Sequence, residues 1–224
     1  MESKKYPRTF HFPFSPGATN DDKMWSDQEL EDQFVNQKIV FTEKLDGSNV
    51  CLTNTEVFAR SHAGAPAHAS FDALKKIHAS IKNLIPNGIS IFGEWLLAVH
   101  SIEYLILPHY LNLFGVRDDR SGAWWNWDDV VLMAMDLKLP TVPVLLIGQA
   151  SDKENLQNYI KTLASLSSVY GLEREGIVVR QYYNVVDDQE KLIGVAKYVR
   201  ANHVQTTEHW TRQKIKKQPV LNSY

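Results

Sequence analysis

Cysteine is almost absent from the 224 residues: Cys51 stands alone, so no internal disulfide and no cysteine-rich zinc site can form. No stretch approaches the roughly 18 consecutive apolar residues of a membrane-spanning helix, and no membrane partner is expected. The opening MESKKYPRTF has charge but no apolar segment behind it, unlike a secretory signal, so a cytoplasmic location is expected. Charge of one sign is not in excess either, since 24 basic and 26 acidic side chains leave a net charge of −2. A uniformly polybasic nucleic-acid binder is therefore excluded, and any such contact must come from a local patch. There is no Gly-x-Gly pair, which removes the dinucleotide fingerprint. Gly171 and Gly176 have the spacing of a phosphate-binding P-loop, but Ile177 occupies the place of its lysine. No serine sits in a Gly-x-Ser-x-Gly elbow and no His-Glu-x-x-His occurs. The histidine pairs His62 with His68 and His203 with His209 read as surface or loop residues. Zinc, flavin and serine-triad chemistry all drop out.

What remains is an ordinary globular composition, 44% apolar and 22% charged. Tyr6 to Asp22 is rich in Pro, Gly, Asn and Asp and reads as loop. Ser26 to Glu29 is a capping box opening a short helix that ends near Phe34. Ile39 to Glu43 reads as a strand running into the turn signal Asp46-Gly47, with Val50 to Leu52 beyond it. Another short strand covers Val57 to Arg60. Phe71, Leu74, Ile77, Ile81 and Leu84 recur at helical spacing and Pro86-Asn87-Gly88 closes that helix. Strands are expected at Ile89 to Trp95, Tyr110 to Val116, Val142 to Ile147, Gly176 to Arg180 and Leu192 to Tyr198. Helices are expected at Asp128 to Leu137 and Asp152 to Leu166, the second opened by a capping box from Ser151 to Glu154. This order predicts an α+β fold with mainly antiparallel sheet.

The chemistry concentrates in Thr42-Glu43-Lys44-Leu45-Asp46-Gly47-Ser48-Asn49, where a lysine flanked by carboxylates sits as a strand enters a turn. Alone, Lys-x-Asp-Gly arises by chance in roughly one chain of this length in twenty. Five further segments follow in order: Phe58-Ala59-Arg60-Ser61, Phe92-Gly93-Glu94-Trp95, Leu113-Phe114-Gly115-Val116, Glu175-Gly176-Ile177-Val178-Val179-Arg180 and Val195-Ala196-Lys197-Tyr198. From Ile39 to Val199 the set resembles the nucleotidyltransferase motifs of ATP-dependent DNA and RNA ligases and mRNA capping enzymes, and most closely the RNA ligase family. The flanks His11 to Asp22 and Lys197 to Trp210 are similar to those of small bacterial RNA ligases.

The resemblance implies two antiparallel sheets with flanking helices and ATP in the cleft between them. It implies a lysine nucleophile at Lys44, which must lose a proton to attack phosphorus although free lysine titrates near pH 10.4. Lys197, a bound metal or partial desolvation are the expected means of lowering that value. Asp46, Glu94 and Glu175 are the expected holders of Mg²⁺, with Mn²⁺ as a substitute, and Glu94 is also assigned to the ribose hydroxyls. Glu43 is assigned to the adenine amino group, Phe114 to one face of the base and Ile177 or Val179 to the other. Arg60, Asn49 and Lys197 complete the ATP-binding set. Two departures from the family pattern stand out: the last motif carries one lysine instead of two, and Gly115 replaces a common acidic residue. The three adjacent tryptophans 124, 125 and 127 suit core or lid packing better than a base-stacking platform. Lys191 to Lys217 holds seven basic residues and one acid, which makes Lys214, Lys216 and Lys217 candidate RNA contacts.

The implied activity is RNA repair: joining a 3′-hydroxyl to a 5′-phosphate through lysyl-AMP and an adenylylated RNA end. Residues 1–38 are expected to pack on an adenylyltransferase domain of residues 39–200, with residues 201–224 as a basic extension and no separate OB-fold. Two alternatives follow for sealing: a partner protein or repair complex supplies end recognition, or the compact form suffices. The alternatives are a capping-type guanylyltransferase and a catalytically idle RNA-binding adaptor of the same fold.

Overall fold

The computed structural model describes residues 5–183, 185–188, 191–201 and 214–221. Its central strands Ile39–Lys44 and Ile89–Trp95 bury both faces, while Val144–Gly148 and the short Val186–Asp188 stay partly exposed. Strand β1 (Arg8–His11) is followed by helix α1 (Asp27–Phe34), β2 (Ile39–Lys44), β3 (Ser48–Leu52) and β4 (Val57–Ala59). Helix α2 (Asp72–Ile81), flanked by single 3₁₀ turns, leads to β5 (Ile89–Trp95) and β6 (Leu111–Asp118). Helix α3 (Trp127–Asp136), β7 (Val144–Gly148), α4 (Lys153–Ser165), β8 (Gly176–Gln181), β9 (Val186–Asp188) and β10 (Lys191–Val199) complete the order. The larger sheet runs β1-β10-β8-β2-β7 with β9 hydrogen-bonded to β10, and the smaller runs β4-β3-β5-β6. The mixed α+β class is as expected.

Every pair of these strands is antiparallel except one. The segment expected to be loop contains β1, which pairs parallel to β10, with His11 opposite Lys197. Pro, Gly and Asn crowd the stretch after His11, while Arg8-Thr9-Phe10-His11 carries none and can extend. Asp46-Gly47 does turn the chain, but it passes from one sheet to the other, so β2 and β3 are not partners. A Cβ on Gly47 would lie 2.6 Å from the Trp95 carbonyl oxygen, so the crossing admits no side chain.

Two apolar layers flank the sheets. Ile39, Phe41, Ile177, Val179 and Ala196 of the larger sheet pack on Leu30 and Phe34 of α1 and Leu156, Ile160 and Ala164 of α4. The smaller sheet buries Val50, Leu52, Ile91 and Leu113 against Leu74 and Ile81 of α2 and Val130 and Met133 of α3. Cap chemistry sets two helix starts. Ser26 and Glu29 form the expected capping box at α1. At α4 the N-cap is Asp152, not Ser151: the Asn155 N–H donates to the Asp152 carboxylate and the Ser151 N–H to the Asn155 side chain. Trp124 and Trp127 are buried core residues, in agreement with their expected packing.

Candidate active site

A cavity of about 810 Å³ opens between the sheets, lined by residues from both. Parity along the strands decides who faces it. On β2, residues 39 and 41 enter the helix-covered layer, so Thr42 and Lys44 look into the cleft. The same alternation turns Val178 and Arg180 of β8, and Val195 and Lys197 of β10, toward it. Glu94 of β5, Phe114 of β6, Asn49 of β3 and Arg60 beyond β4 close the opposite wall. Six sequence segments far apart along the chain thus converge on one volume.

Lys44 sits where β2 ends, and its ammonium donates to Glu175 Oε2 at 2.7 Å. Burial alone would push this amine down, but Glu175, Glu94 and Asp46 outweigh it and hold the lysine above its ordinary value. The expected lowering by Lys197 is therefore overruled by Asp46 on the turn, Glu94 on the facing strand and Glu175 just before β8. Glu94 takes the corresponding penalty. Burial, and then the charges of Glu175 and Asp46, push its carboxyl up to about 8, against the opposing pull of Lys44. Lys197 is pushed down by burial and by Lys44, and pulled up by Asp22 and Glu175.

Several expected roles change with the geometry. Ile177 and Val179 are fully buried against the α4 side and do not reach the cavity; Val178, between them, does. The period of two puts Lys44-facing and core-facing positions one residue apart, and the expectation chose the wrong parity. Asp46 lines the cavity, and its Oδ2 also accepts the N–H groups of Ser101 and Ile102 at 2.7 and 2.8 Å, bracing that loop. Among the described residues no three His, Cys, Asp or Glu side chains lie together as a ready metal cage. The donors still suit a divalent cation of the kind that takes one or two carboxylates and completes its shell with water and phosphate. Three carboxylates surround one ammonium, and burial raises the carboxyls of both Glu94 and Glu175. Glu43 reaches the cavity wall but is 1% exposed, with Oε2 accepting the Val169 N–H at 2.9 Å and facing Arg174 at 3.4 Å. Its Oε1 is a buried acceptor with no hydrogen-bond partner among the described residues.

Other wall residues were given no role by the motifs. Tyr6 from the N-terminal segment stands edge-on to Phe114 at 5.1 Å between ring centroids. Arg180 is 5% exposed, donates to the Phe114 carbonyl and lies 5.0 Å from the centre of the Trp127 ring. Arg180 was open to detection by the parity of β8 counted from Gly176; Tyr6 was not, because a long-range strand pairing puts it there. Lys214, Lys216 and Lys217 are exposed and lie outside the cavity. Arg212, His203 and His209 of the expected basic and histidine sets fall outside the described residues.

The family model for RNA ligases matches residues 37–199, most of the chain and all six motif segments. The chain belongs to the RNA ligase family. Solved structures agree on the fold. A variant of the Naegleria gruberi RNA ligase with ATP and Mn superposes with a TM-score of 0.58 at 18% identity, covering 78% of this chain and 52% of that one. An archaeal ATP-dependent RNA ligase gives a TM-score of 0.58 at 13% identity over 88% of this chain and 48% of that one. A chain described as a putative ATP-dependent DNA ligase from Aquifex aeolicus gives 0.55 at 16% identity, over 88% and 50%. This chain spans about half the length of these relatives. No curated protein matches the sequence. Among the described residues, no helix is long and apolar enough to cross a membrane.

Proposed function

We propose that this chain is the nucleotidyltransferase unit of an ATP-dependent RNA ligase, with Lys44 as the nucleophile. One observation carries the reading: the Lys44 amine, held by Glu175, faces the same cavity as Lys197, Arg60, Glu94 and Phe114. In the first step the Lys44 nitrogen bonds to the α-phosphorus of ATP, the bond to the bridging oxygen breaks and pyrophosphate leaves. The AMP then passes to the 5′-phosphate of RNA, and a 3′-hydroxyl attacks that phosphate and expels AMP. Lys197 and Arg60 supply positive charge to phosphate oxygens. A divalent cation at Glu94 and Glu175 would supply charge neutralisation and draw the Lys44 proton equilibrium toward the free amine. Phe114 and Val178, both on the cavity wall, cover the two faces of the base in this reading.

Adenine over guanine follows from the family resemblance alone, since Glu43 Oε1 is enclosed by protein and its other oxygen is taken by Val169 and Arg174. The test is incubation with α-labelled ATP or GTP and a divalent cation, followed by denaturing electrophoresis, then sealing of matched 5′-phosphorylated RNA and DNA. Label from ATP and joining of RNA are expected. Label from GTP alone would convert the assignment to a capping-type guanylyltransferase, and no label from either would leave a binding module of the same fold.

A further inference from the structure

Lys197 does not stand free at the cleft. Its ammonium lies 3.7 Å from Oδ1 of Asp22, a residue of the segment between β1 and α1 that no motif includes. The same Oδ1 is 3.3 Å from His11 Nε2. The other oxygen, Oδ2, accepts both the N–H and the hydroxyl of Thr19 at 3.0 Å, so the carboxylate cannot rotate without losing them. Those bonds, the Lys197 charge and the His11 N–H keep Asp22 ionised, down at about 2 despite its partial burial. Behind it, His11 is 2% exposed and its Nδ1 meets the Ser15 hydroxyl at 2.9 Å. Burial and the Lys197 charge push this imidazole down to about 4, so near neutrality it is uncharged. Nε2–H then donates to Asp22, and Nδ1 accepts from Ser15. Ser15 Oγ in turn accepts the Val199 N–H at 2.9 Å. The chain of contacts leaves β10 at Val199 and returns to it at Lys197, while β1 pairs with the same strand and the Phe12 N–H donates to the Lys197 carbonyl.

We propose that Asp22, fixed by Thr19 and backed by His11, is a positioning residue that aims the Lys197 ammonium at the nucleotide phosphates. This rests on the ligase reading, in which Lys197 grips phosphate. Asp22 works by holding a flexible four-carbon side chain in one rotamer, while its negative charge also opposes the approach of a polyanion. Removal of the charge should therefore separate binding from rate.

The test uses the full chain stripped of bound nucleotide with pyrophosphate, comparing wild type, Asp22→Asn, Lys197→Ala and the double variant. Asp22→Asn should lower the maximal rate of lysyl-AMP formation about tenfold while leaving KM for ATP unchanged or reduced. In the Lys197→Ala background the same change should have no further effect on rate, since coupled residues are not additive. A second reading needs no activity: in ¹³C NMR of the labelled lysines, the Lys197 amine should titrate at lower pH in Asp22→Asn than in wild type. An equal loss of rate with and without Lys197, or a Lys197 titration indifferent to Asp22, overturns the proposal. Absence of lysyl-AMP in the wild type would instead overturn the ligase reading, and the NMR titration would still decide the Asp22–Lys197 contact. His11→Gln, which keeps a donor for Asp22, covers the case in which the Asp22→Asn variant misfolds the segment. It should retain most of the wild-type rate, and a tenfold loss there would overturn the account of His11 as backing.

Discussion

Lys44 is the residue on which the proposed chemistry depends, and two substitutions separate its charge from its nucleophilicity. Lys44→Ala and Lys44→Arg should both abolish covalent AMP, the second because a guanidinium does not give up its proton near neutrality. Intact-mass spectrometry after incubation with ATP would show this, and an AMP adduct on either variant would move the nucleophile elsewhere. Glu94 gives a pH-dependent prediction. Its carboxyl rises from 4.5 to about 8 in the folded chain, so folding takes up a proton between those values. The stability it contributes is fully present below about pH 4.5 and is lost as pH rises to about 8. Glu94→Gln removes that dependence. Thermal unfolding of nucleotide-free protein should therefore show the variant gaining on the wild type from about pH 5 to about pH 8 and running parallel above it. Parallel curves throughout would mean Glu94 is ionised like a surface carboxylate.

Between residue and molecule lie the contacts that keep strands in register around the cleft. Gly176 sits beside Glu175 where β8 meets β10, and a Cβ there would run into the Tyr198 carbonyl oxygen. Gly176→Ala must push the two strands apart, at a cost of about 1–3 kcal/mol typical of overpacking, and it moves Glu175 relative to Lys44. A lower urea midpoint is expected together with slower AMP labelling; a wild-type midpoint would show that the strands accommodate the methyl group. The C-terminal segment makes a similar brace. Gln218 is 2% exposed; its side chain accepts the Tyr104 N–H at 2.9 Å and donates to the Ile102 carbonyl at 2.7 Å. The Asp46 N–H donates to the Tyr104 hydroxyl at 2.8 Å, which ties this segment to the turn after Lys44. Gln218→Ala leaves two buried backbone groups unpaired and should destabilise by about 1–3 kcal/mol in denaturant unfolding.

For the whole molecule, the near-zero net charge makes the distribution of charge matter more than its total. Lys214, Lys216 and Lys217 are exposed on a segment whose Gln218 is anchored in the body, so their charges are presented from a fixed place. Lys216 pairs with Glu103 at the surface, a contact of small energy that RNA phosphate can displace. Changing the three lysines to glutamine should leave lysyl-AMP formation intact and reduce the salt slope of single-stranded RNA binding by roughly 0.7 per lost contact. A titration of RNA affinity against salt checks this, and an unchanged slope would make the segment a solvated edge.

The strands that carry the motifs were legible in the sequence, because strand alternation and turn residues are local signals; Lys44, Glu94, Phe114, Arg60 and Lys197 were grouped by their resemblance to the family motifs, and the fold brings them to one cavity. The α+β class followed from the same signals, as did the capping box at Ser26. Facing was less secure. Ile177, Val178 and Val179 are chemically alike, and only packing of β8 on α4 decides that Val178 is the one in the cleft. Asp46 has a second partner set that only the fold reveals, the Ser101 and Ile102 N–H groups on its Oδ2. β1, Tyr6 and Asp22 were invisible for a stronger reason. Their positions depend on pairing Arg8–His11 with β10 near the other end of the chain, and a contact of that sequence separation leaves no periodic trace in either partner.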